Sequence, residues 1–222
     1  MFPLRDDRPT YTAPIVTTLL IVACALVFFF ELSLDEYSRD YFITRYGVIP
    51  AHLRPVTLLT SLFIHGGWSH IIGNMLFLWA FGKSLEDAMG HTKFLAFYLI
   101  CGVAAGISHV VFNLFTTLPT VGASGAIAGV MGAYLVKFPR AKIHTLIFLF
   151  IFFTMADIPA AFILVYWFIT QLFSEYGSIA QTHVVSGGVA YAAHIGGFIT
   201  GMILVNVMGT RMRYYPRRDI YW

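Results

Sequence analysis

The sequence predicts an all-α, polytopic membrane protein: a bundle of six transmembrane helices forming one domain over residues 1–222. Composition is the first indication, because 58% of the residues are hydrophobic and only 11% are charged, against about 25% in an average soluble domain. Charge spacing is the second. Four uncharged stretches of 22, 28, 43 and 35 residues each meet or exceed the roughly 20 residues that a spanning helix needs.

These stretches define five of the six spans. The stretch of 43 residues is too long for one crossing and is interrupted by a polar segment containing Pro119, so it predicts two helices. The stretch of 35 residues starts with a loop containing Gly and Ser and then holds one helix. The resulting spans are 14–32, 68–88, 94–114, 120–137 and 188–208.

The remaining span lies in 143–174, where Asp157 and Pro159 separate two shorter uncharged runs. Lysine and arginine concentrate in cytoplasmic loops. A single crossing here leaves 11 of the 14 basic residues inside, including four arginines near the C-terminus, whereas two crossings would put that tail outside. We therefore expect one crossing, with a shallow or broken segment up to about Thr154 and the main helix from Pro159.

Several function classes are disfavoured by the same features. The net charge of +3 is distributed by topology, and no basic patch with interleaved aromatic residues indicates nucleic-acid binding. Cys24 and Cys101 fall inside spans and carry no redox information. The residues before Pro14 are expected to form a short tail that stays attached, not a cleaved leader. We expect the protein to be embedded in a lipid bilayer.

Polar residues inside a membrane are functional candidates, and here they form three groups. From the expected helix starts near Trp68, Thr120 and Gly188, the offsets to the polar residues are 6, 4 and 6 positions. These offsets correspond to roughly 6 to 9 Å below the outer helix ends. Three polar side chains are therefore expected in one layer: Asn74, Ser124 and His194.

Small residues predict how the helices meet. Gly125 and Gly129 form a small-xxx-small pair on the fourth span, and Gly197 and Gly201 form another on the sixth. Such pairs let helix backbones approach closely in lipid. On a helical wheel these faces are the ones that carry the serine and the histidine. We expect the four glycines to serve helix packing.

Ser124 and His194 supply the nucleophile and base of a serine hydrolase, since a serine hydroxyl needs a base to take its proton. Asp157 is the only acid inside an apolar region and is expected away from the outer layer, so we expect a dyad without a carboxylate. Ser124 lies in the first turn of its helix, where free backbone N–H groups can bind an anion. Asn74 and His70 can complete an oxyanion hole.

Gly122-Ala123-Ser124-Gly125 resembles the GxSG motif of rhomboid proteases, preceded by an HxxxN element at His70 and Asn74 and followed by His194 on a GxxxG-like helix. The resemblance covers all six spans. It implies Ser124 as nucleophile, His194 as base, and His70, Asn74 and Gly122 as oxyanion-stabilising residues.

The resemblance also implies an activity and a location. The implied substrates are transmembrane proteins that are cut in or near their membrane segments at small residues. The resemblance implies no metal and no organic cofactor. We expect a multi-pass protein of a prokaryotic cell (inner) membrane, with both termini cytoplasmic and the active site open to the outer side.

Alternatives stay open at this point. One is a metal-dependent membrane hydrolase using His65, His70 and His194; another is a catalytically silent rhomboid-like protein that binds membrane helices. A transporter is disfavoured, because it would be expected to show internal repeats and buried charges, which this sequence lacks. How His194 is held is also open, because Ala128 stands where some relatives have a stacking tyrosine. Tyr191 and a residue of another span are the two alternatives for holding the His194 ring. The histidines expected in packing or interfaces are His65, His91, His109, His144 and His183.

Overall fold

The computed structural model describes residues 2–149, 152–180 and 190–210. This part of the chain is mostly helical. Its helices are α1 (Ile15–Ser33), α2 (Glu36–Tyr46), α3 (Thr57–Thr60), α4 (Trp68–Met89), α5 (His91–Phe112), α6 (Ser124–Lys137), α7 (Ala160–Ala180) and α8 (Tyr191–Met208). Its strands are β1 (Phe2–Asp6), β2 (Lys142–Leu149) and β3 (Phe152–Pro159). The expected sixth-span start at Gly188 and the four tail arginines lie outside the described residues.

Among the described residues, three helices are long and apolar enough to cross a membrane, namely α1, α5 and α8. Two shorter apolar helical segments are α6 and residues 160–173 of α7. The fourth helix, α4, has 22 residues and carries the polar His70 and Asn74 in its first half. The apolar helices confirm the prediction of a helical membrane protein. The count of six crossings stays a prediction.

The helix α6 lies at the centre of the bundle. Every residue from Gly125 to Tyr134 is buried, and the helix packs against α4, α5, α7 and α8. This segment contains three glycines and three alanines, so neighbouring helices can approach its backbone closely. The central position of α6 makes its first residue a point where several helices meet.

The segment before α7 is a β-hairpin, so the expected shallow or broken segment up to Thr154 is wrong in form. β2 and β3 pair antiparallel, from Lys142 opposite Pro159 to Leu149 opposite Phe152. Both strands are rich in β-branched and aromatic residues, which favour extended structure over a helix. The main helix begins at Ala160, one residue after the expected position.

The first residues of the chain, expected to form a short attached tail, form strand β1 and pair antiparallel with β2. Asp6, at the end of β1, is only 4% exposed. Its carboxylate accepts hydrogen bonds from Ser84 Oγ on α4 and Tyr134 Oη on α6, and Lys83 Nζ lies 3.4 Å from it. One buried carboxylate therefore ties the N-terminal strand to two helices of the bundle.

A second buried carboxylate, Glu86 on α4, holds the start of α1. Its oxygens accept from the backbone N–H groups of Val16 and Thr17, both at 2.8 Å, and from Thr17 Oγ1 at 2.6 Å. His91 Nδ1 lies 2.6 Å from the same carboxylate. First-turn N–H groups have no partner within their own helix, and the positive end of the helix dipole favours an anion there. Glu86 thus fixes α1 against α4.

Candidate active site

Ser124 and His194 are in direct contact. Ser124 Oγ and His194 Nε2 lie 2.8 Å apart, although 70 residues separate the two in the chain. His194 is 7% exposed, whereas Ser124 is partly exposed. A serine hydroxyl within hydrogen-bond distance of an imidazole nitrogen is the arrangement of an activated nucleophile and its base.

Ser124 is the first residue of α6, whereas the sequence predicted that this helix would begin near Thr120. Thr120 is held in an extended conformation by two backbone hydrogen bonds to Val48, of 2.8 and 2.9 Å. Gly122 has a φ of 126°, which also prevents helical backbone there. In the structure Ser124 is the first residue of α6 and His194 is the fourth residue of α8. The similar offsets predicted from the helix starts therefore do not explain why these polar groups meet.

The four glycines predicted for packing lie between α6 and α8. A Cβ added to Gly197 would collide with the carbonyl oxygen of Gly125, and one added to Gly201 would collide with that of Gly129. On its other side, a Cβ on Gly125 would lie 2.5 Å from Cβ of Ala105 on α5. Backbone contact between α6 and α8 therefore brings the histidine-bearing turn of α8 against the start of α6.

Gly122, His70 and Asn74 lie together beside the serine. A Cβ on Gly122 would lie 2.7 Å from His70 Nε2 and 3.7 Å from Asn74 Nδ2, so only glycine leaves this space open. The Gly122 backbone N–H donates to the Ser61 carbonyl at 2.9 Å and is not free for a ligand. Asn74 Nδ2 is buried and has no hydrogen-bond partner among the described residues. An unused amide donor beside Gly122, two positions before Ser124, is suited to stabilising an oxyanion.

His65 packs behind this group. Its ring lies edge-on to that of His70, with centroids 5.3 Å apart, and its Nδ1 donates to the Phe63 carbonyl at 3.2 Å. The backbone N–H of His65 donates to Glu31 Oε1 at 3.2 Å. Burial is the larger cause and the neighbouring His70 the smaller one, and together they lower the pKa of His65 to about 4. His65 is therefore a neutral packing residue near neutral pH.

Two residues of α7 lie beside the His194 ring, and neither was predicted for this role from the sequence. Gln171 Oε1 lies 2.8 Å from His194 Nδ1. The Trp167 ring lies 5.5 Å from the imidazole, measured between centroids, at an interplanar angle of 40°. Gln171 could have been found from the sequence, because it is a polar residue in a mostly apolar run. Polar residues inside membrane helices are functional candidates by default.

A comparison with known protein families matches a rhomboid domain over residues 52–211. This range is well over half of the chain and contains the serine, the histidine, Gly122 and the two polar residues of α4. The chain belongs to the rhomboid family.

Curated relatives of this rhomboid include mitochondrial and bacterial proteins. "Rhomboid protein 1, mitochondrial" of Saccharomyces cerevisiae is 32% identical over 152 residues, which are 67% of this chain and 40% of the yeast protein. "Rhomboid protease GluP" of Bacillus subtilis is 32% identical over 136 residues, 59% of this chain and 25% of that protein. "Putative rhomboid protease YdcA" of the same bacterium is 32% identical over 139 residues, covering 61% and 69%. The chain thus spans less than half the length of the first two.

Three other histidines among the described residues have partners of their own. His91 pairs with Glu86 and His144 with Asp157 on the hairpin, while His109 Nε2 lies 2.8 Å from Thr120 Oγ1. His183 lies outside the described residues. Within the described ranges, no three His, Cys, Asp or Glu side chains are grouped so that they could hold a metal ion. The metal-dependent hydrolase considered from the sequence therefore has no ligand set in this part of the chain.

Proposed function

We propose that this rhomboid is an intramembrane serine endopeptidase that cleaves transmembrane segments of other membrane proteins. The observation that carries the proposal is the 2.8 Å contact between Ser124 Oγ and His194 Nε2. Relatives named as rhomboid proteases support the reaction class. A single residue pair on two helices is then sufficient for the nucleophilic attack and for the proton transfers of the reaction.

In the proposed reaction, Ser124 Oγ attacks the carbonyl carbon of the scissile peptide bond while its proton passes to His194 Nε2. The tetrahedral intermediate collapses, the C–N bond breaks, and the imidazolium gives its proton to the leaving amine. The product is an acyl ester on Ser124. Water then attacks the ester carbonyl, with His194 again taking the proton. As the ester C–O bond breaks, the imidazolium returns that proton to Ser124 Oγ, so the carboxylic acid leaves and both side chains are restored.

The negative charge of the tetrahedral intermediate needs donors in fixed positions. Asn74 Nδ2, buried and without a partner among the described residues, supports this role, and so does the proximity of His70 Nε2 to the Gly122 position. The N–H groups of the first turn of α6 lack intrahelical acceptors and add further donors. Removing one donor of this kind typically lowers the rate by about 10² to 10³.

The proposed topology has six crossings, with α1, α4, α5, α6, α7 and α8 as the spans and both termini in the cytoplasm. The 14 residues of α6 extend about 21 Å, less than the roughly 30 Å of a bilayer core. Irregular backbone at membrane depth is tolerated where protein buries it or water lines it. The loop before Ser124, held by Val48 and Ser61, fits this condition, so the site opens to the outer side and below the surface.

A prokaryotic cell (inner) membrane is the location that we propose, supported by the two Bacillus relatives. The alternative location is a mitochondrial membrane, because other relatives are named as mitochondrial. A localisation experiment would distinguish the two. Both locations are compatible with the same dyad and the same helical bundle.

The second candidate, a catalytically silent rhomboid-like protein, lacks a supporting observation. A protein that only binds membrane helices has no need to keep a serine and a histidine in hydrogen-bond contact, with an unused amide donor beside them. We therefore favour the enzyme.

The test is cleavage of a model transmembrane substrate with small residues in its membrane segment, by purified protein in liposomes. Wild-type protein is expected to cleave, and Ser124→Ala is expected to lower the rate at least about 10³-fold, since residues of such a dyad act as a unit. Ser69→Ala, an exposed serine of α4, is the matched control and should retain activity. Equal cleavage by Ser124→Ala and wild type would contradict the assignment of the nucleophile.

A further inference from the structure

Behind His194 lies a short series of hydrogen-bonding groups on α7. Gln171 Oε1 faces His194 Nδ1 at 2.8 Å, and the side-chain nitrogen of the same glutamine lies 3.4 Å from Thr170 Oγ1. The Thr170 hydroxyl in turn lies 2.6 Å from the Trp167 carbonyl oxygen. Gln171 is 9% exposed, so its amide is removed from competing solvent.

The donor and the acceptor of each hydrogen bond in this series can be assigned by starting from the bond between Thr170 and Trp167. A carbonyl oxygen can only accept, so the Thr170 hydroxyl must donate its single hydrogen to Trp167. Thr170 Oγ1 can then only accept, and the group of Gln171 that faces it must be the NH₂. The opposite end of the amide, which faces His194, is therefore the carbonyl oxygen.

An amide oxygen opposite Nδ1 requires the hydrogen of the neutral imidazole to be on Nδ1, because that contact needs a donor. The other ring nitrogen, Nε2, is then an acceptor, and the Ser124 hydroxyl donates to it. This is the tautomer that a general base for Ser124 must have. A histidine with its hydrogen on Nε2 would donate to Ser124 and could not take its proton.

We propose that Gln171 and Thr170 form a positioning relay that fixes the tautomer and orientation of His194, the role that a carboxylate has in a Ser-His-Asp triad. The inference rests on the proposed protease function and deepens it. Gln171 acts through its contact with the base His194, so it is a positioning residue. The relay uses a neutral acceptor, which avoids placing an unpaired charge in the apolar interior.

Packing alone does not account for this arrangement. Trp167 and Phe168 already hold α7 against α8, since Trp167 lies beside His194 and Phe168 stacks on Phe198 with centroids 4.6 Å apart. An apolar residue at 171 would fill the same space at no cost of burying an amide. The buried amide, with both of its ends in contact with polar groups, indicates a function in hydrogen bonding.

The decisive experiment measures kcat and KM for transmembrane-substrate cleavage in a set of α7 variants. Gln171→Leu leaves the Nδ1 hydrogen without an acceptor, and we expect kcat to fall about 10- to 100-fold with KM nearly unchanged. Gln171→Glu keeps an acceptor and is expected to retain most of the activity, with the acidic limb of the pH–activity profile moved to higher pH. Phe168→Leu, which reduces packing but leaves the relay, should keep the wild-type pH profile.

Thr170→Val separates the relay from a structural role, because it changes little volume. Without the threonine oxygen, the amide of Gln171 can turn its NH₂ towards Nδ1 and favour the wrong tautomer, so kcat should fall several-fold. In the Gln171→Glu background both side-chain oxygens accept, and Thr170→Val should then have no effect.

The outcomes are distinguishable from failure of the function itself. If wild type cleaves and Ser124→Ala does not, while Gln171→Leu and Thr170→Val leave kcat and the pH profile unchanged, the relay is wrong and the protease stands. An equal effect of Thr170→Val in both backgrounds would also overturn the relay. If wild-type protein neither cleaves nor reacts with serine-directed probes, the proposed function fails first.

Discussion

Gly201 of α8 approaches Gly129 of α6 so closely that a Cβ on Gly201 would collide with the carbonyl oxygen of Gly129. The same relationship holds one turn nearer to the active site between Gly197 and Gly125. The two helices that carry His194 and Ser124 are therefore in backbone contact along two successive turns. Their stability and the distance from Ser124 to His194 depend on the same interface.

Gly201→Ala is expected to destabilise the fold by about 1 to 3 kcal/mol, because the colliding atom belongs to the backbone and α8 must move as a unit. Thermal or denaturant-induced unfolding in detergent micelles measures the effect. Gly73→Ala on α4 is the matched control, since its Cβ would meet open space and alanine favours the helix. Equal stability of the two variants would contradict the close packing of α6 and α8.

Glu86→Ala should destabilise the protein by about 1 to 3 kcal/mol, because it leaves the buried N–H groups of Val16 and Thr17 without acceptors. The neighbouring Asp87 accepts from Tyr11 and Thr12 at an exposed position. Asp87→Ala is therefore the control and should cost less, because water can replace its hydrogen bonds. Unfolding in micelles compares the two. A larger loss for Asp87→Ala would count against the buried anchor.

The stability of the protein should depend on pH through His65. Its pKa of about 4 in the folded state lies below the ordinary 6.5, so the unfolded chain binds more protons between these values. The free energy of unfolding should therefore be highest above pH 6.5, fall as the pH drops towards 4 by as much as about 3 kcal/mol, and level off below.

His65→Gln removes this contribution, and the difference between wild type and variant isolates it from the other histidines. His52→Gln, at an exposed position, is the control. The prediction is wrong if the unfolding free energies of wild type and His65→Gln change in parallel from pH 7 to pH 4.

Much of the helical bundle was predictable because the membrane imposes long uncharged stretches on the sequence. α1 and α4 begin within one residue of the expected positions, at Ile15 and Trp68, and α5 within three, at His91. The start of α6 was not predictable in the same way. It is set by the pairing of Thr120 with Val48, a contact between distant parts of the chain that no local pattern reveals.

The hairpin and Gln171 were missed for different reasons. A short apolar run is compatible with either a strand or a helix, and the pairing of β2 with β1 depends on residues at the far end of the chain. Gln171 was visible as a polar residue in an apolar run. Its relation to His194, 23 positions later, depends on how α7 packs against α8.

Asn74→Ala should lower kcat by about 10² to 10³ with little change in KM, because its side-chain donor would be used only as the oxyanion forms. Steady-state cleavage of a transmembrane substrate measures both constants. Ile72→Ala, an exposed residue of the same helix, serves as the control. An unchanged kcat, or a loss confined to KM, would contradict an oxyanion role for Asn74.

The central claim is that Ser124, activated by His194, is the nucleophile. Its most direct test is peptide mapping by mass spectrometry after treatment of purified protein in lipid with a fluorophosphonate. The probe is expected to modify Ser124 in the wild type, to react at least about 10³-fold more slowly in His194→Ala, and to leave Ser124→Ala unmodified. Modification of a different serine, or an undiminished rate in His194→Ala, would contradict the dyad.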